Sequence, residues 1–308
     1  MSNRSLVQMR LIVMIAVAMF SSAVPAVHAP DVMWDDVHPS SETGTTYLSR
    51  SARLARQLGV DSSFVALLLE SSQTSVSDRF IRINATNYAS KTDYSHNYNE
   101  KGVRSVRTFM NTYASALNKA ETTYSVPANV IAALLWVETK HGTITGGHNV
   151  ASVFLSVLLS CEPEFIDVNT SAVMAAKGLD TTARDSVRGA MERRAIRKMT
   201  WAADQLRGLH AIHKQGQINV FTLKGSWAGA FGYSQFLPQS YVSWAVDGNG
   251  DGAVDLFSMD DAICSVANYL RSNGWSNEEK DQRAAVFHYN NSTDYVDAVL
   301  TLAAKARQ

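Results

Sequence analysis

Apolar residues recur at spacings of three and four through most of this chain, and that period belongs to the α-helix. "YLSRSARLARQLGV" ends at Gly59, and "DSSFVALLLESS" opens with Asp61 as N-cap. "VRTFMNTYASALNKAETTYSV" reads as one helix, with Val106, Phe109, Met110, Tyr113 and Leu117 on one face. Pro127 suits the first turn of the next helix, and Gly142 marks its end. "VASVFLSVLLSC", the charged "SVRGAMERRAIRKMTWAADQLRGLHAIHK" and the segments around "DDAICSVANYLRSNGW" and "STDYVDAVLTLAAKA" continue the pattern. "DYSHNYNEKG" reads as a polar, aromatic loop. Strand signals are scarce and short, near 242–246 and 254–257. The expected class is therefore mainly α (α+β), with a small β element beside the acidic loop "DGNGDGAVD".

One helix carries an anomaly. In "LLWVETKHG", Glu138 shares a face with Val130, Ile131, Leu134 and Leu135, the face that should enter the core. An ionised carboxylate buried without a partner is costly, so its pKa rises and it holds its proton. The negative end of the helix dipole pushes the same way. A carboxylic acid protonated near neutral pH can give a proton to the leaving oxygen of a glycosidic bond. The bland alternative is a core glutamate satisfied by a buried arginine or by backbone donors.

Two further stretches stand out. "GSWAGAFGYSQFLPQSY" combines Gly229 and Gly232, which allow close backbone approach, with the flat faces of Trp227, Phe231, Tyr233, Phe236 and Tyr241. Such faces suit sugar rings, and Ser226 and Gln235 could bond hydroxyl or acetamido groups. A tightly packed hydrophobic turn would have the same composition. In "DGNGDGAVDLFSMDD", Asp247, Asn249, Asp251 and Gly252 match the first half of an EF-hand loop, which wraps oxygens around calcium. Its twelfth position is Ser258 rather than Glu, and Asp260 or Asp261 could close a longer loop. By spacing, the carbonyl of Ala253 is the fourth ligand.

Other classes recede. Lys plus Arg equals Asp plus Glu, 28 each, which gives no electrostatic reason to expect nucleic acid. No P-loop, no G-x-G-x-x-G after a strand and no G-x-S-x-G occurs. His210 and His213 read as solvated rather than as ligands. Residues 1–29 have the layout of a secretory signal peptide or an uncleaved anchor: Arg4 and Arg10, ten apolar residues from Leu11 to Phe20, then small residues. Export is expected, to the periplasm. Cys161 and Cys264 could pair or stay as buried thiols.

Taken in order, "VPANVIAALLWVETKHGTITG", "GSWAGAFGYSQFLPQSYVSWAVDGNGDGAVDLF", "DAICSVANYLRSNGW" and "VFHYNNSTDYVDAVL" resemble the membrane-bound lytic transglycosylase B family, murein-cleaving enzymes with a goose-lysozyme-like core. The resemblance covers roughly residues 126–300. It implies Glu138 as acid/base. It implies Ser226, Gln235, Phe236, Tyr269, Tyr289, Asn290 and Tyr295 along the substrate cleft. It also implies calcium held by Asp247, Asn249, Asp251, the Ala253 carbonyl and Asp261. The implied division is a leader and helical region over 30–105 and a lysozyme-like catalytic domain over 106–308, with the EF-hand-like loop at 247–261. The implied reaction cleaves the β-1,4 bond between N-acetylmuramic acid and N-acetylglucosamine, with one carboxylate serving both steps and an anhydro ring closing without water. A hydrolytic lysozyme and a non-catalytic peptidoglycan-binding protein remain as alternatives. Peptidoglycan glycan strands are the implied partner, with cell-wall synthesis proteins as further candidates and membrane contact only through an uncleaved N-terminus. Trp136 and Trp227 depart from the side chains expected of the family at their positions.

Overall fold

The computed structural model describes residues 42–86 and 93–307. The expected signal or anchor segment lies outside them. Thirteen α-helices occur among the described residues: α1 (Glu42–Gln57), α2 (Ser62–Glu70), α3 (Asp78–Thr86), α4 (Glu100–Thr112), α5 (Ala114–Tyr124), α6 (Ala128–Thr139), α7 (Val150–Leu158), α8 (Pro163–Lys177), α9 (Arg184–Gln215), α10 (Pro238–Trp244), α11 (Met259–Ser272), α12 (Glu279–Tyr289) and α13 (Thr293–Arg307). The mainly helical class expected from the apolar period is the observed one. Among the described residues, no helix is long and apolar enough to cross a membrane.

Local chemistry explains most boundaries. Asp61 caps α2 by accepting from the amides of Ser63 and Phe64. Pro127 occupies the N-cap of α6 and Pro163 opens α8, where a missing N–H is harmless. The single helix expected over 106–126 is two. Tyr113 leaves the helical region at φ −106° and ψ 29° and separates α4 from α5. The break lets α4 pack on α6 and α13 while α5 packs on α11. α12 was not anticipated as a separate helix; its burial rests on Ala285, Val286 and Tyr289 near its C-terminal end.

The β element is a correction. β1 (His148–Asn149) and β2 (Lys224–Gly225) pair antiparallel, His148 opposite Gly225 and Asn149 opposite Lys224. The expected strand at 242–246 instead starts inside α10, because Pro238 begins a helix there. The one expected at 254–257 cannot form a ladder. The amides of Val254, Asp255 and Phe257 already donate to the side chains of Gln217, Asp261 and Asp255.

One apolar core runs from Ala52 in α1 to Ala306 in α13, and α6 lies inside it with Trp136 the one half-buried residue of its second half. The boundary expected between 105 and 106 falls inside α4, and Phe64 of α2 shares that core with Tyr295 of α13. A smaller cluster, Ile166, Val173, Met191 and Ala195, joins α8 to the first half of the 32-residue α9. Both cysteines are free thiols, Cys264 buried and Cys161 half-buried.

After β2 the chain doubles back tightly. The Ser226 amide donates to the Ala230 carbonyl at 2.7 Å, and Phe231 and Phe236 exchange backbone bonds at 2.9 and 3.1 Å. Gly229 sits at φ 79°, and a Cβ there would collide with the ring of Phe154 in α7. Gly229→Ala is therefore expected to cost about 1–3 kcal/mol by overpacking and left-handed strain. Urea melts of the two proteins read the difference directly.

Candidate active site

α6 ends in a left-handed C-terminal turn. The amide of Lys140 donates to the Trp136 carbonyl and that of His141 to the Leu135 carbonyl. Lys140, His141 and Gly142 all take positive φ, at 51°, 56° and 87°. The Oγ1 of Thr139 donates to the Tyr233 carbonyl at 2.9 Å, which ties the end of α6 to the glycine-rich turn. A Cβ on Gly142 would clash with the Tyr233 ring, so glycine is needed there twice over.

Glu138 is the penultimate residue of α6 and is 2% exposed. Tyr295 of α13 donates its hydroxyl to Oε1. Oε2 is buried and has no hydrogen-bond partner. Burial pushes the carboxyl up to about 7, against the opposing pull of the Tyr295 hydroxyl and the Lys140 ammonium. Tyr295 and Tyr289 are raised well above the usual phenol range, first by burial and then by the Glu138 charge.

Of the expected cleft residues, Tyr295 bonds this carboxylate and Tyr289 lies within its electrostatic reach, and the others have engagements of their own. Tyr289 donates to the Ser234 carbonyl. Its ring packs 4.6 Å from Tyr269 and 5.9 Å from Phe236. Tyr269 donates to the His288 carbonyl at 2.8 Å, so its hydroxyl is engaged in holding α12. Gln235 sits at φ 50° and donates to the carbonyls of Thr145 and Gly232, while its Oε1 is buried without a partner. Ser226 is 2% exposed, and its hydroxyl accepts from the amides of Ala228 and Ala230. It therefore shapes the turn. Asn290 donates to the hydroxyl of Tyr94 at 3.4 Å.

Tyr94 and Asn97 were not anticipated. They belong to the segment read as a polar loop, which carries a short 3-10 turn at Ser95–Asn97. Tyr94 meets Tyr295 edge-on at 5.6 Å. The Asn97 carbonyl accepts from Trp136 Nε1 at 3.2 Å, and its Oδ1 accepts from the Lys140 ammonium. The one sequence signal was the presence of aromatic residues in a polar stretch. The histidines are structural: His141 stacks 4.0 Å from Phe109, and His210 and His213 pack on Phe64 rather than standing in solvent.

The acidic loop turns at Gly250 and Gly252, which sit at φ 84° and 87°. Asp247 accepts from the amides of both, which holds its carboxyl below the usual range. Asp261 is 1% exposed and accepts from the amides of Gly248, Asn249 and Asp255. Asp251 accepts from Asn249 Nδ2 and from the Ala253 amide. The donors are oxygens, as a hard cation requires, yet they face the loop's own N–H groups. Among the described residues no cluster of three His, Cys, Asp or Glu side chains could hold a metal. The converging site expected for Asp247, Asn249, Asp251, Ala253 and Asp261 is thus not formed in this conformation.

Residues 44–285 match the family described as the transglycosylase SLT domain. The membrane-bound lytic murein transglycosylase B of Escherichia coli K12 is 32% identical over 167 residues, 54% of this chain and 37% of that protein. The chain thus spans little more than a third of that relative's length. Escherichia coli lytic transglycosylase SLT35 in complex with bulgecin A superposes with a TM-score of 0.61 at 22% identity, covering 85% of this chain and 92% of that one. The same enzyme in complex with calcium gives 0.60 at 21% identity over the same shares. SltB3 of Pseudomonas aeruginosa in complex with NAG-anhNAM-pentapeptide gives 0.60 at 18% identity, covering 84% and 78%. These likenesses establish the fold, and with a family match that runs from α1 into α12 the chain belongs to the transglycosylase SLT domain family.

Proposed function

We propose that this chain is a lytic murein transglycosylase that cleaves the β-1,4 bond between N-acetylmuramic acid and N-acetylglucosamine. The observation that carries the reading is Glu138: a buried carboxyl lifted to about 7, with one oxygen held by Tyr295 and the other free of partners. Such a group carries its proton near neutrality and can deliver it. Gln235 Oε1 and Ser234 Oγ are likewise buried without partners close by, and buried polar atoms left so call for a polar ligand. Similarity to an enzyme of murein, and to SltB3 in complex with NAG-anhNAM-pentapeptide, supports a glycan strand as that ligand.

In this scheme Glu138 gives its proton to the glycosidic oxygen as the bond to C1 breaks. The resulting carboxylate takes the proton of the muramoyl C6 hydroxyl, O6 bonds to C1, and the 1,6-anhydro product leaves Glu138 protonated as it began. One carboxylate serves both steps, whereas common glycosidases place two across the bond. Tyr295 orients the acid, and Gln235, Tyr289, Asn290, Tyr269, Phe236 and Ser226 shape the sugar site. Export through the apolar N-terminal segment fits a substrate outside the cytoplasm.

Glu138→Gln should lower turnover by at least about a hundredfold with the fold retained. Muropeptides released from purified sacculi by the unaltered protein should be one water lighter than lysozyme products. Products of lysozyme mass would mean hydrolysis at the same residue. The same variant tests the burial. A carboxyl that ionises at 4.5 when unfolded and at about 7 when folded favours the fold fully below 4.5, and that advantage is lost as pH rises through 7. Glu138→Gln should therefore be more stable than the parent at pH 8, by on the order of 2–3 kcal/mol, and equal to it near pH 4. Denaturant melts at both pH values decide.

For the loop we propose structural calcium, held by Asp247, Asn249, Asp251, Asp261 and the Ala253 carbonyl. The half EF-hand spacing and the calcium complex of SLT35 support it. Calcium at a hundredfold excess over Kd should stabilise the protein by about 2.7 kcal/mol, and Asp251→Ala should abolish the effect. An unchanged melting curve of chelator-treated protein on adding calcium would remove the metal from the proposal.

A further inference from the structure

Trp136 departs from the side chain expected at its position, and the reaction above gives it no task. It is half-buried in an otherwise apolar, buried stretch of α6. Its indole is nevertheless held in one orientation. Nε1 donates to the Asn97 carbonyl at 3.2 Å. Lys140, left-handed at φ 51°, brings its ammonium 5.1 Å from the ring centroid and donates to the Trp136 carbonyl and to Asn97 Oδ1. A Cβ on Gly102 would strike the Asn97 carbonyl and crowd the indole nitrogen, so glycine lets α4 close on both. A lysine in that backbone conformation is strained, and a large ring held firmly at the surface gives up rotamer freedom. Such an arrangement is pre-organised for contact with something outside the fold.

The ring lines an open cavity of about 380 Å³ between α4 and the end of α6. Phe109, Tyr113 and His141 extend the aromatic surface, with Phe109 stacked 4.0 Å from His141 and 4.7 Å from Tyr113. Lys101, Arg104, Ser105, Thr108 and Thr112 follow one another at spacings of three and four, so α4 presents a single stripe of cations and hydroxyls to the same space. Arg104 pairs with Glu100 at 3.3 Å, but both groups are exposed and such a pair is worth little. With Lys101, and with Lys140 at the ring, the cavity carries net positive charge. Glu138 is not part of its lining; two positions from Trp136 on a helix, it faces almost the opposite way. The cavity is therefore a separate place from the acid.

We propose that this groove is a second murein-binding site: it takes an N-acetylated sugar ring against Trp136 and the carboxylates of the attached stem peptide at Lys101 and Arg104. The match is chemical. Flat aromatic faces flanked by hydroxyls suit a sugar, which has an apolar face and a polar edge. Exposed cations suit carboxylates. A bare inorganic anion would use the cations and leave the rings idle, and a neutral glycan would do the reverse. A muropeptide unit carries both features. The substrate is a polymer, so a second contact raises the effective concentration of glycan at the acid without any change in the acid itself. This inference rests on murein as the substrate of the reaction above.

The test is a titration of the full chain carrying Glu138→Gln, so that the probe is not consumed. The probe is the disaccharide of N-acetylglucosamine and N-acetylmuramic acid with its tetrapeptide, beside the same disaccharide without peptide. The 15N–1H signal of the Trp136 indole, identified by Trp136→Phe, should shift saturably with the muropeptide. The peptide-free disaccharide should need about tenfold more to reach the same shift, the effect of losing charge-assisted bonds. Lys101→Glu combined with Arg104→Glu changes two exposed side chains and should abolish that preference, and its binding to purified sacculi should fall by a similar factor. An indole signal unmoved by millimolar muropeptide, or an undiminished muropeptide affinity in the double variant, overturns the inference. If the unaltered protein releases muropeptides while the indole stays silent, the inference falls and the reaction stands. A responding indole in a protein that releases nothing overturns the reaction and leaves the binding site standing.

Discussion

The burial of one carboxylate organises this molecule. α6 is apolar almost all the way round, and such a helix belongs in the middle of a core. Glu138 is carried in with it. Left alone, the charge would cost several kcal/mol, so burial keeps the proton on, and two groups offset the cost of the charged form: Tyr295 donates a hydrogen bond from α13, and the Lys140 ammonium acts in the same sense. The compensation is incomplete by design of the sequence: Oε2 keeps no partner. A fully satisfied carboxylate would be a structural ion with no proton to give.

The glycine-rich turn is the second support, and it works through backbone. Gln235 and Gly232 at positive φ, and Gly229 against Phe154, allow residues 225–236 to fold back within hydrogen-bond reach of the end of α6. Side chains that look like sugar ligands in the sequence are divided by this folding. Ser226 spends its lone pairs on the amides of Ala228 and Ala230, whereas Gln235 turns its amide nitrogen inward and leaves Oε1 open. Phe154 in turn packs on Trp201 of α9 at 5.4 Å, so the long charged helix braces the turn from behind.

What could be read from the sequence and what could not follow from the range of the forces involved. Glu138 was legible because a carboxylate on an apolar helical face is a local contradiction. The acidic loop's turn at Gly252 was legible because Asp and Gly at alternate positions fix local turns. Tyr94 and Asn97 were not legible, since each matters through a contact more than 35 positions away in sequence, with Tyr295 and with Lys140 and Trp136. The break at Tyr113 was hidden for a similar reason: the apolar period runs through it unbroken, and only the separate packing of α4 on α6 and of α5 on α11 makes two helices of one pattern. The short strands failed differently. β-branched residues at 242–246 favour strand locally, but Pro238 had already committed the chain to a helix.

The loop at 247–261 shows how far a motif can be separated from its usual ligand. Its carboxylates are already provided for by N–H groups, and two side chains from outside hold the loop as well. Lys119 of α5 donates to the Gly248 carbonyl at 2.7 Å, and Gln217 bonds both the Gly252 carbonyl and the Val254 amide. The loop's link to the catalytic region is also backbone: the Tyr233 amide donates to the Leu256 carbonyl at 2.8 Å, and Tyr233 packs against Gly142 at the end of α6. One backbone path from the loop to Glu138 thus runs through Leu256, Tyr233 and Thr139. Such a path can steady the position of Glu138, but it carries no charge to it; the proton affinity of that carboxyl is set first by its burial and then by the Tyr295 hydroxyl.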